Sequence, residues 1–87
     1  MRLDRFLWFA RFARTRSAAQ ALAEDGHLRI SGRPAASRHA AVRVGDVLTF
    51  ARGADVSVIR IEALPHRRGP APEAQTCYTD LTVPEAG

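Results

Sequence analysis

Residues 3–32 read LDRFLWFARFARTRSAAQALAEDGHLRISG, and the change of period inside this stretch decides the fold. On a helix over residues 3–13, at about 100° per residue, Leu3, Phe6, Leu7 and Ala10 share one stripe, the pattern of a buried face. Asp4, Arg5, Trp8, Arg11 and Phe12 fall on the other side. Thr15 stands where a hydroxyl caps a helix start, and residues 16–25 are rich in strong helix formers until Gly26, a helix-ending residue. Glu24 and Asp25 in the last turn oppose the macrodipole at a small local cost. From Gly26 the period becomes two: Leu28 and Ile30 alternate with His27, Arg29 and Ser31. Two helices joined by a few residues therefore pass directly into a strand.

Outward from this stretch, Gly32 opens a turn and residues 33–41 have no period, which predicts a loop. Val42 and Val44 resume the alternation, Gly45-Asp46 turns, and strands are expected over Val47 to Phe50 and Val56 to Leu64. Pro65, Pro70, Pro72 and Pro84 then mark a tail with little regular structure beyond a short turn around Glu73–Gln75. The expected fold class is α+β: two N-terminal helices packed on a small, mostly antiparallel sheet, with an extended C-terminal tail. The division expected is residues 1–64 for the domain and 65–87 for the Pro-rich tail.

The chain has 87 residues, enough for one modest core. It has no apolar run long enough to span a membrane, and no membrane partner is expected. Cys77, the one cysteine, has no partner for an internal disulfide, which suits a reducing, cytoplasmic compartment. All thirteen basic residues are Arg. Residues 1–52 hold ten of them against Asp4, Glu24, Asp25 and Asp46, a local +6; residues 53–87 carry a local −2. A basic half of this kind points to a polyanionic partner. Residues 2–16, with five Arg and one acid, have the composition of a mitochondrial transit peptide. Their large apolar residues are ones a domain this small needs for its core, so they are read as fold.

The sharpest chemical feature is Arg11-Phe12-Ala13-Arg14-Thr15-Arg16-Ser17, where three Arg and two hydroxyls meet the start of the second helix. A helix start offers N–H groups and a partial positive charge, and guanidinium binds phosphate in bidentate fashion. The solvated-surface reading of these Arg is outweighed by the helix start and the regional charge. A second basic set is Arg29, Arg33, Arg38, His39 and Arg43, and spacing alone leaves open whether it lies beside the first. Trp8 and Phe12 could stack on unpaired bases, but core packing is the favoured reading in so small a domain. No phosphate-binding glycine loop occurs, and His27, His39, His66 and Cys77 are too scattered for a zinc site. Neither catalysis nor a cofactor is expected.

Four pieces resemble, in order and spacing, the S-four-type RNA-binding domain, the alpha-L motif named after a small-subunit ribosomal protein. They are Leu3-Asp4-Arg5-Phe6-Leu7, Thr15-Arg16-Ser17-Ala18-Ala19, Gly26-His27-Leu28-Arg29-Ile30-Ser31-Gly32 and Val44-Gly45-Asp46-Val47-Leu48. Met1-Arg2-Leu3-Asp4-Arg5-Phe6-Leu7-Trp8 and Arg67-Arg68-Gly69-Pro70-Ala71-Pro72-Glu73-Ala74 narrow the resemblance to the bacterial heat-shock-protein-fifteen family. That resemblance implies binding of ribosomal RNA on free large subunits that still carry a nascent chain on peptidyl-tRNA. It further implies a part in ribosome rescue during the heat-shock stress response, and weaker DNA binding. Carried over by position, Arg11, Arg14, Arg16 and Ser17, with Thr15, would meet phosphates, flanked by Arg2, Arg5, Arg33, Arg38 and His39.

Two departures are visible. The turn that usually reads Asn-Gly is Ser31-Gly32, which the same turn geometry tolerates. The family commonly continues into a longer basic C-terminal helix, whereas this sequence ends at Gly87 with Glu85 nearby and no Lys. Any grip that such an extension supplies is expected to be missing from these residues. The alternatives to the ribosomal reading are another structured RNA, such as a tRNA or a regulatory RNA, and a basic protein–protein module.

Overall fold

Leu3, Phe6 and Leu7 are fully enclosed and Ala10 nearly so, and the stripe read along α1 (Leu3–Phe9) is the face that meets the core. The computed structural model describes residues 1–82; Pro84 and Glu85 of the expected tail lie outside the described residues. α1 stops at Phe9 rather than at residue 13. Arg11 takes a left-handed φ of 66°, its N–H reaches the Trp8 carbonyl at 3.2 Å, and the Phe12 N–H reaches the Leu7 carbonyl at 2.9 Å. This pair of bonds is the Schellman termination, which satisfies carbonyls that a helix end leaves over. It swings Phe12 back against Phe6, Phe50 and Tyr78, with centroids 6.4, 5.3 and 4.5 Å away. Phe12, expected on the outer side of a continuing helix, is therefore half-buried at the rim of the core.

Asp4 also departs from expectation, being buried at 6% exposure. The loop before Ala41 closes over the start of α1: the Leu3 and Asp4 N–H groups donate to the carbonyls of Ala40 and Arg38, at 2.8 and 3.1 Å. That loop thus takes up donors that the first turn of any helix leaves free. α2 (Arg16–Glu24) begins where the sequence indicates, with Thr15 Oγ1 accepting from the Ala18 N–H at 3.0 Å. Its inward residues, Ala19 and Ala23, are small and buried, which lets the two helices approach closely.

Five strands, β1 (Arg29–Ile30), β2 (Arg33–Pro34), β3 (Val47–Arg52), β4 (Asp55–Ile61) and β5 (Tyr78–Asp80), form one antiparallel sheet in the order β2-β1-β3-β4-β5. β1 (Arg29–Ile30) turns through Ser31 and Gly32 into β2 (Arg33–Pro34), a two-residue strand where only loop was expected. Both turn residues have positive φ, 49° and 84°, as the tight hairpin twist requires. The Ser31 hydroxyl, bonded to Asp46 Oδ1 at 3.1 Å and to the Val47 N–H at 3.3 Å, anchors the strained position. No strand forms at Val42 and Val44. Ala41 makes one bridge to Arg2, after which the chain turns at Gly45, leaving Val42 buried and Val44 at 59% exposure.

β3 (Val47–Arg52) and β4 (Asp55–Ile61) form the central hairpin, with Leu48 opposite Ile59 and Phe50 opposite Ser57. β4 ends at Ile61, short of Leu64, because the Glu62 and Ala63 N–H groups turn to the Cys77 carbonyl. The turn expected at Glu73–Gln75 is the end of α3 (Ala71–Gln75), which buries Ala74. β5 (Tyr78–Asp80), which the Pro-rich composition concealed, pairs with β4 so that Tyr78 faces Ile61.

Candidate nucleic-acid interface

The exposed sides of α1 and α2 leave a cleft of about 190 Å³ between them, lined by Arg2, Asp4, Arg5, Trp8, Phe9, Arg16 and Gln20. Helical spacing explains the set. Arg5 and Trp8 are three apart on α1, and Arg16 and Gln20 four apart on α2, so each pair presents to one side. Trp8 is half-buried, packed on the core with the rest of its ring in the cleft wall. The Arg16 guanidinium lies over that ring, 4.7 Å from its centroid, a cation–π contact that holds the charge at the cleft.

One carboxylate lines the cleft, and it is neutralised in place. Arg2 grips Asp4 through Nε and Nη2 at 3.1 and 2.7 Å, and the Arg5 N–H adds a third bond at 2.9 Å. Burial pushes the Asp4 carboxyl up. Arg2's bond and charge, the Arg5 N–H and the charge of His39 together outweigh it and hold the group below the ordinary carboxylate range. With Asp4 spent on Arg2, the guanidinium groups of Arg5 and Arg16 leave the cleft positive.

The structure brings part of the second basic set to the first. Because the loop before Ala41 docks on the start of α1, Arg38 and His39 sit at that end of the helix. Arg38 is partly engaged there, with Glu24 Oε1 at 3.3 Å and His39 Nε2 at 3.4 Å from its Nε. Thr15, Arg16 and Ser17 are all exposed at the start of α2. Other expected residues stand apart. Arg14 lines a separate, shallower concavity with Phe12, Leu22 and Arg52. Arg11 turns its Nε to the Gly69 carbonyl at 2.6 Å, and Arg33 is exposed on the sheet-edge strand β2.

Sequence reasoning passed over Gln20, which the four-residue spacing from Arg16 marks, and Arg68. Arg68 comes from the acidic half of the chain, yet its guanidinium lies 5.2 Å from the Trp8 ring centroid. No local signal in the sequence pairs residues sixty positions apart. Among the described residues no group of three or more His, Cys, Asp or Glu could hold a metal ion, and no helix is long and apolar enough to cross a membrane.

Comparison with known proteins matches residues 1–48 to the S4 domain family. The chain is 40% identical over 80 residues to the heat shock protein 15 homolog of Haemophilus influenzae, covering 92% of this chain and 60% of that protein. It is 32% identical over 80 residues to heat shock protein 15 of Escherichia coli K12, covering 92% of this chain and 59% of that one. The small ribosomal subunit protein uS4 of Erythrobacter litoralis is 35% identical over 89 residues, covering 97% of this chain and 44% of that one. A solved trimeric structure of Vibrio cholerae heat shock protein 15 superposes with a TM-score of 0.85 at 39% identity, over 92% of this chain and 80% of that chain. The chain thus spans about 60% of the length of the heat shock protein 15 sequences it matches.

Proposed function

Because the chain belongs to the S4 domain family and is a relative of the bacterial heat shock protein 15 group, we propose that it is an RNA-binding protein of the cytoplasm that acts on the ribosome. Its target in this reading is ribosomal RNA of free large subunits, which it helps to recycle when they still carry a nascent chain on peptidyl-tRNA. The observation that carries the reading is the cleft between α1 and α2, where Arg5 and Arg16 flank Trp8 and the one carboxylate is already paired. Guanidinium there meets phosphate, and the Arg16 guanidinium lying over Trp8 offers its own plane for a base to stack on. Arg38, His39 and the α2 start extend the positive surface at either end. This is the chemistry of binding rather than of catalysis. DNA shares the phosphate backbone and is bound more weakly.

Sedimentation of cell lysate, with the protein followed through free large-subunit, small-subunit and intact-ribosome fractions, tests the ribosomal role. Enrichment on free large subunits that disappears after ribonuclease treatment is the expected result. Absence from every ribosomal fraction overturns the rescue role. At the cleft itself, Arg5→Ala with Arg16→Ala should weaken binding to purified large-subunit RNA. Two lost single-strand phosphate contacts should reduce the slope of log K against log salt by about 1.4. The control is Arg60→Ala, whose guanidinium is paired with Glu62 on the sheet; it should leave the slope unchanged.

A further inference from the structure

The link from Ala10 to Thr15, which aims the start of α2 at the candidate interface, is neither helix nor strand. It contains the left-handed Arg11, a conformation that a residue with a side chain adopts at a cost. Something outside the link holds it. The Arg68 Nη1 group donates to the Ala13 carbonyl at 3.0 Å and also to the carbonyl of Trp8. In the opposite direction, Arg11 Nε donates to the Gly69 carbonyl. The two arginines form a reciprocal clasp between the link and the segment leading into α3.

Arg68 therefore joins the last turn of α1 to the residue two before the α2 cap. A positive group is favourable at that helix end, where the macrodipole is negative. Burial and the neighbouring Arg11 charge pull the guanidinium's pKa down, so the site holds its charge against opposition. Among the described residues no carboxylate pairs with Arg68. Its donors serve backbone carbonyls instead. It also lies well beyond residue 48, where the S4 match ends.

We infer that Arg68 is a positioning residue for RNA binding: by bridging the Trp8 and Ala13 carbonyls it sets the link that presents Thr15, Arg16 and Ser17 to phosphate. The inference rests on the RNA-binding reading above. It assigns the C-terminal segment a part in the interface without placing it in contact with RNA.

The test uses Arg68→Ala and Arg68→Lys in the full chain, with three readouts: amide exchange in the free protein, affinity for purified large-subunit RNA against salt, and the urea midpoint. Arg68→Ala should speed exchange at Arg11, Phe12 and Ala18, whose N–H groups carry the bonds of the link and cap, while β3 and β4 keep their protection. Affinity should fall about tenfold with the salt slope unchanged, as expected when a surface must be reordered on binding but keeps its phosphate contacts. Arg68→Lys, which retains the charge but lacks the planar fork, should recover only part of the affinity. If the Ala variant does not fold, the Lys variant is read alone and should still show faster exchange in the link. A slope reduced by about 0.7 would make Arg68 a phosphate contact and overturn the inference. Unchanged affinity in folded variants would also overturn it, as would link exchange that rises only in step with global unfolding. Failure of the unsubstituted protein to bind RNA would overturn the functional reading instead, and the exchange data would separate that outcome from failure of the clasp.

Discussion

Asp4 is the residue on which local pattern and tertiary environment disagree most. Helical periodicity assigns it to the solvent side of α1, next to Arg5 and two residues after Arg2. The docked loop converts that position into a buried, three-bonded anion. The consequence for stability has a definite sign. A carboxyl held below its unfolded pKa contributes stability that is fully present above the unfolded value, about 3.9, and is lost as pH falls through the lower folded value. The stability difference between the protein and its Asp4→Asn variant, measured by urea denaturation, should therefore shrink as pH is lowered through that window. At neutral pH it should be about 1 kcal/mol, modest because Arg2 remains 42% exposed and screened by solvent. The individual arginines of the cleft were legible as types, since charge and helical spacing mark Arg5 and Arg16. Their setting was not, because which ring lies under Arg16 and which guanidinium neutralises Asp4 depend on how the helices and the docked loop pack.

Elements were legible where one local cause dominates. The α2 start follows from Thr15, and the β3–β4 hairpin from alternating apolar residues around a turn. The end of α1 was not, because Ala10 and Ala13 keep the helical spacing while the backbone has already reversed at Arg11. Glycine is the usual residue at that position, and nothing in Arg11 announces a left-handed φ. The cost can be isolated by comparing two variants that both lack the Arg11 side chain and its bond to Gly69. Arg11→Gly should be more stable than Arg11→Ala by about 1 kcal/mol in urea denaturation, because only the alanine retains the steric penalty. Equal stabilities would mean that the link relaxes into another conformation once the guanidinium is gone. The Ser31-Gly32 turn is a counterpart that the sequence does reveal, through Gly32 and through the resemblance to the S4 domain, whose turn falls at the same two residues.

At the scale of the molecule, the C-terminal segment is where composition misled. Prolines suppress regular structure in the residues nearest them, yet α3 takes Pro70 at its cap and Pro72 in its first turn, where a missing N–H costs no helical bond, and β5 follows it. β5 covers the edge of β4, while Ala74 and Cys77 are buried. Removing everything after Leu64 would uncover that edge and open the Arg11–Arg68 clasp at once. In thermal melts followed by circular dichroism, this truncation should lower the midpoint by at least about 10 °C, the shift that a loss of a few kcal/mol produces in a domain of this size. An unchanged midpoint would mean that the first sixty-four residues fold without help from the segment.

Sequence alone determined the two helices, the change to a sheet, the apolar face of α1 and the concentration of arginine in the first half. These follow from period, capping chemistry and charge, which are properties of neighbours along the chain. Only the tertiary structure decided that the loop before Ala41 seals the start of α1, that Arg5 and Arg16 share a cleft with Trp8, and that Arg68 reaches back to the end of α1. Those contacts join residues on different elements, up to sixty positions apart, and their partners are chosen by packing and by the need of backbone N–H and carbonyl groups for hydrogen bonds once buried. Local sequence carries the demand for such partners; the assembled fold supplies them.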